Sequence, residues 1–276
     1  LILIINFKMG VAGAAWATNL SQAISAVLCA VYIYKKVPAL MPEKRHWRFH
    51  KGDTRYQLAT GIPMALQFAI TSSGTMVMQS AINLFGSEAV AAYTAAGKIH
   101  GLLTQGMVAM GQTMAVYSGQ NYGKGDAGRI RQGVRAALII EVIYSVASAV
   151  VVSAALGPSL GLFFSGEVDL AAMMPWARTY TTICTLFYVP LCTIFIFRNT
   201  MQGCGYGFLP MMGGVVELAA RLIVAVIAMD IHSYWLACAC DPAAWVGAGL
   251  FTGISYLYVI KKIEKNLGKG TAVHKS

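Results

Sequence analysis

The chain has 276 residues, of which 57% are hydrophobic and 12% charged, with a formal net charge of +10. Soluble domains carry about 25% charged residues, and half that supply cannot cover a water-soluble body of this size, so a soluble globular domain is excluded. The basic excess collects between apolar runs, where it marks cytoplasmic loops; it does not form the basic face of a nucleic-acid binder.

Leu1 stands where an initiator Met would, and the opening run to Phe7 is too short to span a bilayer. It lacks the basic start and small-residue cleavage site of a signal peptide. It reads as the tail of a helix whose beginning is missing, so the chain is expected to be a fragment, with Lys8 on a short outer loop. Apolar stretches then follow at 12–34, 57–84, 89–118, 132–156, 173–197, 208–229 and 235–260. Each approaches or exceeds the roughly 20 residues that cross a hydrocarbon core. Backbone groups in lipid must be satisfied inside the chain, and no alternating barrel strands are seen, so the stretches are expected to be helices. The expected fold class is all-α: a polytopic helical membrane protein with a six-helix transporter lobe and one further transmembrane helix.

The gaps alternate in charge. Lys35, Lys36, Lys44, Arg45, Arg48, Lys51 and Arg55 crowd 35–56, whereas the next gap holds Glu88 and no base. Lys124, Arg129 and Arg131 follow, then Glu167 and Asp169, then Arg198 at a turn, then Asp230, then a tail with Lys261, Lys262, Lys265, Lys269 and Lys275. This alternation places 35–56 and the C-terminus in the cytoplasm, and the chain is expected in the cell membrane. Pro38 and Pro42 make 35–56 a linker. The helix from Ala14-Ala15-Trp16 to Lys35-Lys36 echoes that from Ala243-Ala244-Trp245 to Lys261-Lys262, as the last helices of two repeats would. The expected domains are 1–34, the end of an N-terminal lobe; 35–56, the inter-lobe linker; 57–262, a C-terminal six-helix lobe; and 263–276, a cytoplasmic tail.

Charge at membrane depth is costly and marks candidate sites. Glu217 and Arg221 stand four apart on one helix face. They are read either as a structural ion pair or as part of a polar cavity that responds to protonation. Lys98 is read either as snorkelling to the membrane surface or, with Gln105 and Gln112 at seven-residue spacing, as an interior polar stripe, and Gln67, Thr71, Gln79 and Asn83 give the preceding helix a polar seam. Seams on adjacent helices are expected where a wet cavity runs between them. Met64, Met76, Met78, Met107, Met110 and Met114 gather in the same two helices, as an adaptable surface or as packing filler. Gly123 to Gly128 match G-x-G-x-x-G, but a helix rather than a strand precedes them, so they are read as a tight turn and not a dinucleotide loop. The six cysteines read as packing residues, and neither they nor the five histidines form metal-ligand spacings. No nucleophile–base pair can be assembled, so neither an enzyme nor a metal site is expected.

Gly61-Ile62-Pro63-Met64-Ala65-Leu66-Gln67, Val90-Ala91-Ala92-Tyr93, Gly119-Gln120-Asn121-Tyr122-Gly123-Lys124-Gly125 and Arg129-Ile130 occur in order along the chain. With Met201-Gln202-Gly203-Cys204-Gly205, Glu217, Arg221 and the early Gly10-Val11-Ala12-Gly13-Ala14-Ala15, Ala17-Thr18 and Ser21-Gln22, they resemble the second half of the multidrug and toxic compound extrusion (MATE) family. The resemblance implies twelve helices in two lobes. This chain would supply the end of helix five, helix six, the linker and the C-terminal lobe, with the N-terminal lobe as a missing partner. It further implies secondary-active multidrug efflux in the lipid bilayer: small organic cations or drugs exchanged for Na⁺ or H⁺, with no other cofactor. Some members hold the coupling cation through an acid on the first helix of the second lobe, but here that helix has Thr71 and no carboxylate beside it. Flippases of lipids or lipid-linked oligosaccharides share the architecture and are the alternative.

The orientation is testable by thiol labelling in a cysteine-free background. Ser165→Cys is expected to react with an impermeant reagent from outside, and Gly52→Cys only after permeabilisation. The reverse pattern would contradict the positive-inside reading.

Overall fold

The structure, a computed structural model, describes residues 3, 6, 8–37, 41, 49–163 and 170–268. Among these there are helices and turns but no strand. Most of the linker with Pro38 and Pro42, the acidic gap with Ser165, Glu167 and Asp169, and the tail from 269 onward lie outside the described residues.

The chain forms two compact units, Leu1–Thr54 and Arg55–Ser276. The first contains α1 (Gly10–Lys36), where Gly13 packs against the Leu3 carbonyl and the Met9 side chain. The second contains α2 (Lys51–Asn83) from Arg55 on, α3 (Ser87–Gly123), α4 (Ala127–Phe163), α5 (Leu170–Leu186), α6 (Tyr188–Gly203), α7 (Phe208–Asp230), the short α8 (Tyr234–Cys238) and α9 (Cys240–Gly268). Four helices, α1, α4, α7 and α9, are long and apolar enough to cross a membrane, and the α5–α6 pair makes five if counted as one span. At 33 and 37 residues, α2 and α3 have ample length, but their polar side chains leave them below that apolarity.

The expected span 173–197 is not one straight helix. It is α5 and α6, bent by 51° at Phe187. Pro190 has no N–H to give the Leu186 carbonyl, so the ladder loses a bond at the junction. Phe187 N–H instead bonds to the Cys184 carbonyl at 3.1 Å, and Leu191 N–H restarts the ladder on Phe187 at 3.2 Å. The expected last span divides likewise into α8 and α9 at Ala239. The G-x-G-x-x-G segment is the α3–α4 turn: Gly125 has φ +76°, which favours glycine, and the Asp126 carboxylate caps α4 by accepting from Arg129 N–H at 2.9 Å. Gly205 at φ +83° closes the α6–α7 turn in the same way.

The second unit is filled from both ends. Met78, Ile82, Ala92, Ala96, Tyr180 and Cys184 belong to one buried cluster, which also takes residues from α4, α7 and α8. Ile130, Ile196, Met201, Val259, Ile260 and Ile263 belong to the other, with Met107, Tyr188, Leu191 and Cys192 forming a third group. Met78, Met107 and Met114 are core residues, so half of the Met-rich run is packing material; Met76 is exposed.

α3 and α6 approach backbone to backbone. A Cβ on Gly203 would overlap the Ala115 carbonyl, and one on Gly119 would stand 3.0 Å from the Gly203 carbonyl oxygen. Gly203→Ala is therefore expected to cost about 1–3 kcal/mol, the range for overpacking a filled core. Gly97→Ala on α3 meets nothing within 4 Å and should instead gain about 0.5–1 kcal/mol of helix preference. Melting of the two variants in detergent should move in opposite directions, and a Gly203→Ala protein that melts no lower than wild type would refute the close approach.

Candidate functional site

Glu217 and Arg221 lie on α7, both almost fully buried at 4% and 3% exposure. The helical spacing faces them the same way, with Arg221 Nη1 3.5 Å from Glu217 Oε2. That contact is the longest in a larger network. Arg198, from the neighbouring α6, donates through Nη2 to Glu217 Oε1. Arg221 donates through Nε to Asp241 Oδ1 at 2.8 Å, and Asp241 stands in the first turn of α9. Two guanidinium groups and two carboxylates thus alternate as Arg198, Glu217, Arg221, Asp241 and leave no net charge. Only the i,i+4 pair of this network is visible in the sequence.

α2 closes this network from one side. A Cβ on Gly74 would lie 2.9 Å from Arg221 Nη1, so the bare backbone makes room for the guanidinium. Further along, a Cβ on Gly214 of α7 would stand 3.2 Å from Gln67 Cγ and 3.6 Å from Thr71 Oγ1. Gln67 is buried, and its Oε1 accepts from Gln202 Nε2 of α6 at 2.8 Å. Thr71 turns its hydroxyl back to the Gln67 carbonyl at 2.9 Å. Gln67, Thr71, Glu217 and Arg221, chosen from sequence on two separate helices, therefore lie along one packed α2–α7 contact.

The remaining candidates sit elsewhere. Gln79 donates to Asn83 at 3.0 Å further along α2. Lys98, Gln105 and Gln112 lie on the exposed face of α3, with Thr94, Thr113 and Gln120 and the apolar Leu102 and Val116 on the same face. The buried face of α3 is instead Ala89, Ala92, Ala96, Met107, Gly111 and Met114. These small and apolar residues fit against neighbouring helices, and the polar His100, Ser118 and Asn121 are buried beside them.

Several inward-facing groups were not found from sequence. Arg198 reads as a loop marker because it ends an apolar stretch, yet α6 continues to Gly203 and buries it. Asp241 sits inside an apolar stretch that the structure divides at Ala239; its signal is an acid just before Pro242, a helix-start pattern. Glu141 of α4 is 2% exposed, and its Oε2 has no hydrogen-bond partner among the described residues. His100 packs edge-on to Tyr180 and Tyr188, with Nδ1 2.5 Å from the Tyr188 hydroxyl. At the α6–α7 turn, burial pushes the Tyr206 phenol and the Cys204 thiol each up to about 12, so both stay neutral at physiological pH.

The order of the network fixes which double substitution restores it. Removing one partner of a buried pair strands the other charge, at a cost of about 3–5 kcal/mol. Glu217→Gln alone is expected to cut the folded yield on detergent chromatography. Adding Arg198→Met should recover it, because Arg221 keeps Asp241. Adding Arg221→Met should not, because Arg198 and Asp241 are then both stranded. Equal recovery by the two doubles would refute the alternating order.

The family model MatE matches residues 63–227. Over 126 residues the chain is 32% identical to the probable multidrug resistance protein YpnP of Bacillus subtilis (strain 168), covering 45% of this chain and 27% of that protein. It is 25% identical over 139 residues to the probable multidrug resistance protein YoeA of the same organism, covering 49% of this chain and 30% of that one. The chain thus matches less than a third of the length of either relative. The crystal structure of the Vibrio cholerae MATE transporter VcmN, in a mutant form, superposes with a TM-score of 0.83 at 16% identity, over 95% of this chain and 58% of that one. At that identity the likeness shows the fold. The family model spans more than half of the sequence and the helices are those of a membrane body, so this chain is a multi-pass membrane protein that belongs to the MatE family.

Proposed function

We propose that this chain forms part of a secondary-active multidrug efflux transporter that exchanges small organic molecules for Na⁺ or H⁺. The observation that carries this reading is the row of polar side chains along the exposed face of α3. Lys98, Gln105 and Gln112 are spread along a helix of membrane length on the side turned away from its own core. Such side chains are costly against lipid and at ease against water, so the face reads as one wall of an aqueous cavity. The exposed Met76 of the neighbouring α2 adds a polarizable contact suited to differently shaped ligands.

The reading also limits where binding charge can come from. The acids of α2 and α3, Asp53 and Glu88, stand in the first turns of those helices. Glu217 and Asp241 are neutralised by Arg198 and Arg221. A cationic drug would then take its counter-charge from another part of the cavity. The Arg198–Asp241 network would serve to hold α6, α7 and α9 as one rigid wall rather than to bind the drug.

Ethidium efflux from cells expressing a protein that contains this chain provides the test. Gln105→Leu with Gln112→Leu is expected to slow efflux at least tenfold, equivalent to about 1.4 kcal/mol of lost interaction, with folded yield unchanged because both positions are exposed. Collapsing the Na⁺ gradient and the H⁺ gradient separately identifies the coupling ion. Unchanged efflux in the double variant would refute the cavity wall, and movement of fluorescent lipid without ethidium efflux would replace this reading with a flippase.

A further inference from the structure

Away from the charge network, a groove runs along the flank of the second unit between α4, α6 and α9. One cavity of about 400 Å³ is lined at its mouth by Arg131, Arg135 and Lys261, and deeper by Phe197 and Tyr256. A second of about 450 Å³ adjoins it and shares Phe197, Gly253 and Leu257. Its other walls include Val189, Val246, Leu250 and Ile254. Thr193 also lines it, but its hydroxyl is already given to the Pro190 carbonyl at 2.7 Å. The groove is thus basic at one end and apolar along the rest.

The basic end is under-compensated. Arg131 pairs with Glu264 at 2.9 Å, with both side chains about 40% exposed, and Lys262 lies over the Tyr206 ring at 5.7 Å. Arg135 and Lys261 are exposed, and neither has an ion-pair partner among the described residues. The sequence from 269 to 276 contains no acidic side chain. Both cations lie in or beside the segments that the charge alternation assigns to the cytoplasm, where the leaflet is rich in anionic headgroups. On the α9 side the groove is lined by Gly253, where a Cβ would reach ordinary contact with the Phe197 ring at 3.5 Å. Phe197 itself is held by stacking on Tyr256, with ring centroids 5.1 Å apart.

We propose that this groove binds an anionic phospholipid of the cytoplasmic leaflet. Its phosphate sits among Arg135, Lys261 and Arg131, and an acyl chain lies along Phe197, Gly253 and Leu257. Charge complementarity selects the headgroup and the apolar groove selects a chain-bearing molecule, so the site needs both parts of one lipid. It lies on a different flank from the exposed face of α3 and does not depend on the transport reading.

The test uses the 276-residue chain purified in detergent and exposed to mixed micelles of phosphatidylglycerol and phosphatidylcholine, with retained lipid counted by native mass spectrometry. Phosphatidylglycerol should be retained at least tenfold over phosphatidylcholine. Arg135→Gln with Lys261→Gln should bring it down to the phosphatidylcholine level without changing the elution of these surface variants. Gly253→Leu should also reduce retention, and Leu257→Gln, at an exposed position, stands in if the bulkier variant fails to fold. Equal retention of the two lipids, or full retention by the Arg135/Lys261 variant, would overturn the proposal. Displacement by inorganic phosphate alone would show an anion site without a lipid, and exclusion of both lipids by a dimer would assign the groove to a second copy of the chain; either outcome also overturns it.

Discussion

Two arginines cannot be buried in a membrane-spanning body without two matching negative charges, and the arrangement of α6, α7 and α9 follows from that. An uncompensated ion inside a low-dielectric interior costs several kcal/mol, and helix packing alone does not offset it. Arg198 and Arg221 therefore need Glu217 and Asp241 within contact distance, and the four residues come from three helices. The sum is neutral, so the network can sit behind the lobe surface without drawing counter-ions to it.

Other irregularities accompany that requirement. The break at Ala239 starts α9 at Cys240, which puts Asp241 in a first turn, where the helix N-terminus favours a carboxylate while the side chain also meets Arg221. The bend at Phe187 sets α6 at 51° to α5, so that Arg198 need not continue the line of α5. Gly74 removes the side chain that would otherwise occupy the space of the Arg221 guanidinium. Backbone breaks and bare glycines in these helices thus serve the placement of charge as well as the turning of the chain.

Two groups of polar residues differ in their physics. Those facing inward at the network are paired: Gln67 with Gln202, and the arginines with the acids. Lys98, Gln105 and Gln112 on the outer face of α3 are exposed, interleaved with Leu102 and Val116. On the function proposed above, the inner groups hold the helices together and the outer ones face an aqueous cavity.

Much of this was legible in the sequence, because membrane thickness and backbone satisfaction act on composition directly. The all-α class, the positions of most helices and the α3–α4 turn follow from apolar run length, charge alternation and glycine placement. The pairing of Glu217 with Arg221 also follows, since one helical turn brings them together whatever surrounds them. The sequence did not separate α5 from α6 or α8 from α9, because the apolar runs continue across both breaks. It did not show that Arg198 and Asp241 complete the network, because contacts between residues 19 and 20 positions apart are set by helix packing and not by helical period. It placed Lys98, Gln105 and Gln112 on a common stripe, but which side of α3 is buried was decided by the fit of Ala92, Ala96 and Gly111 against neighbouring helices. Period is a property of the chain alone, whereas partner and facing are properties of the assembled helices.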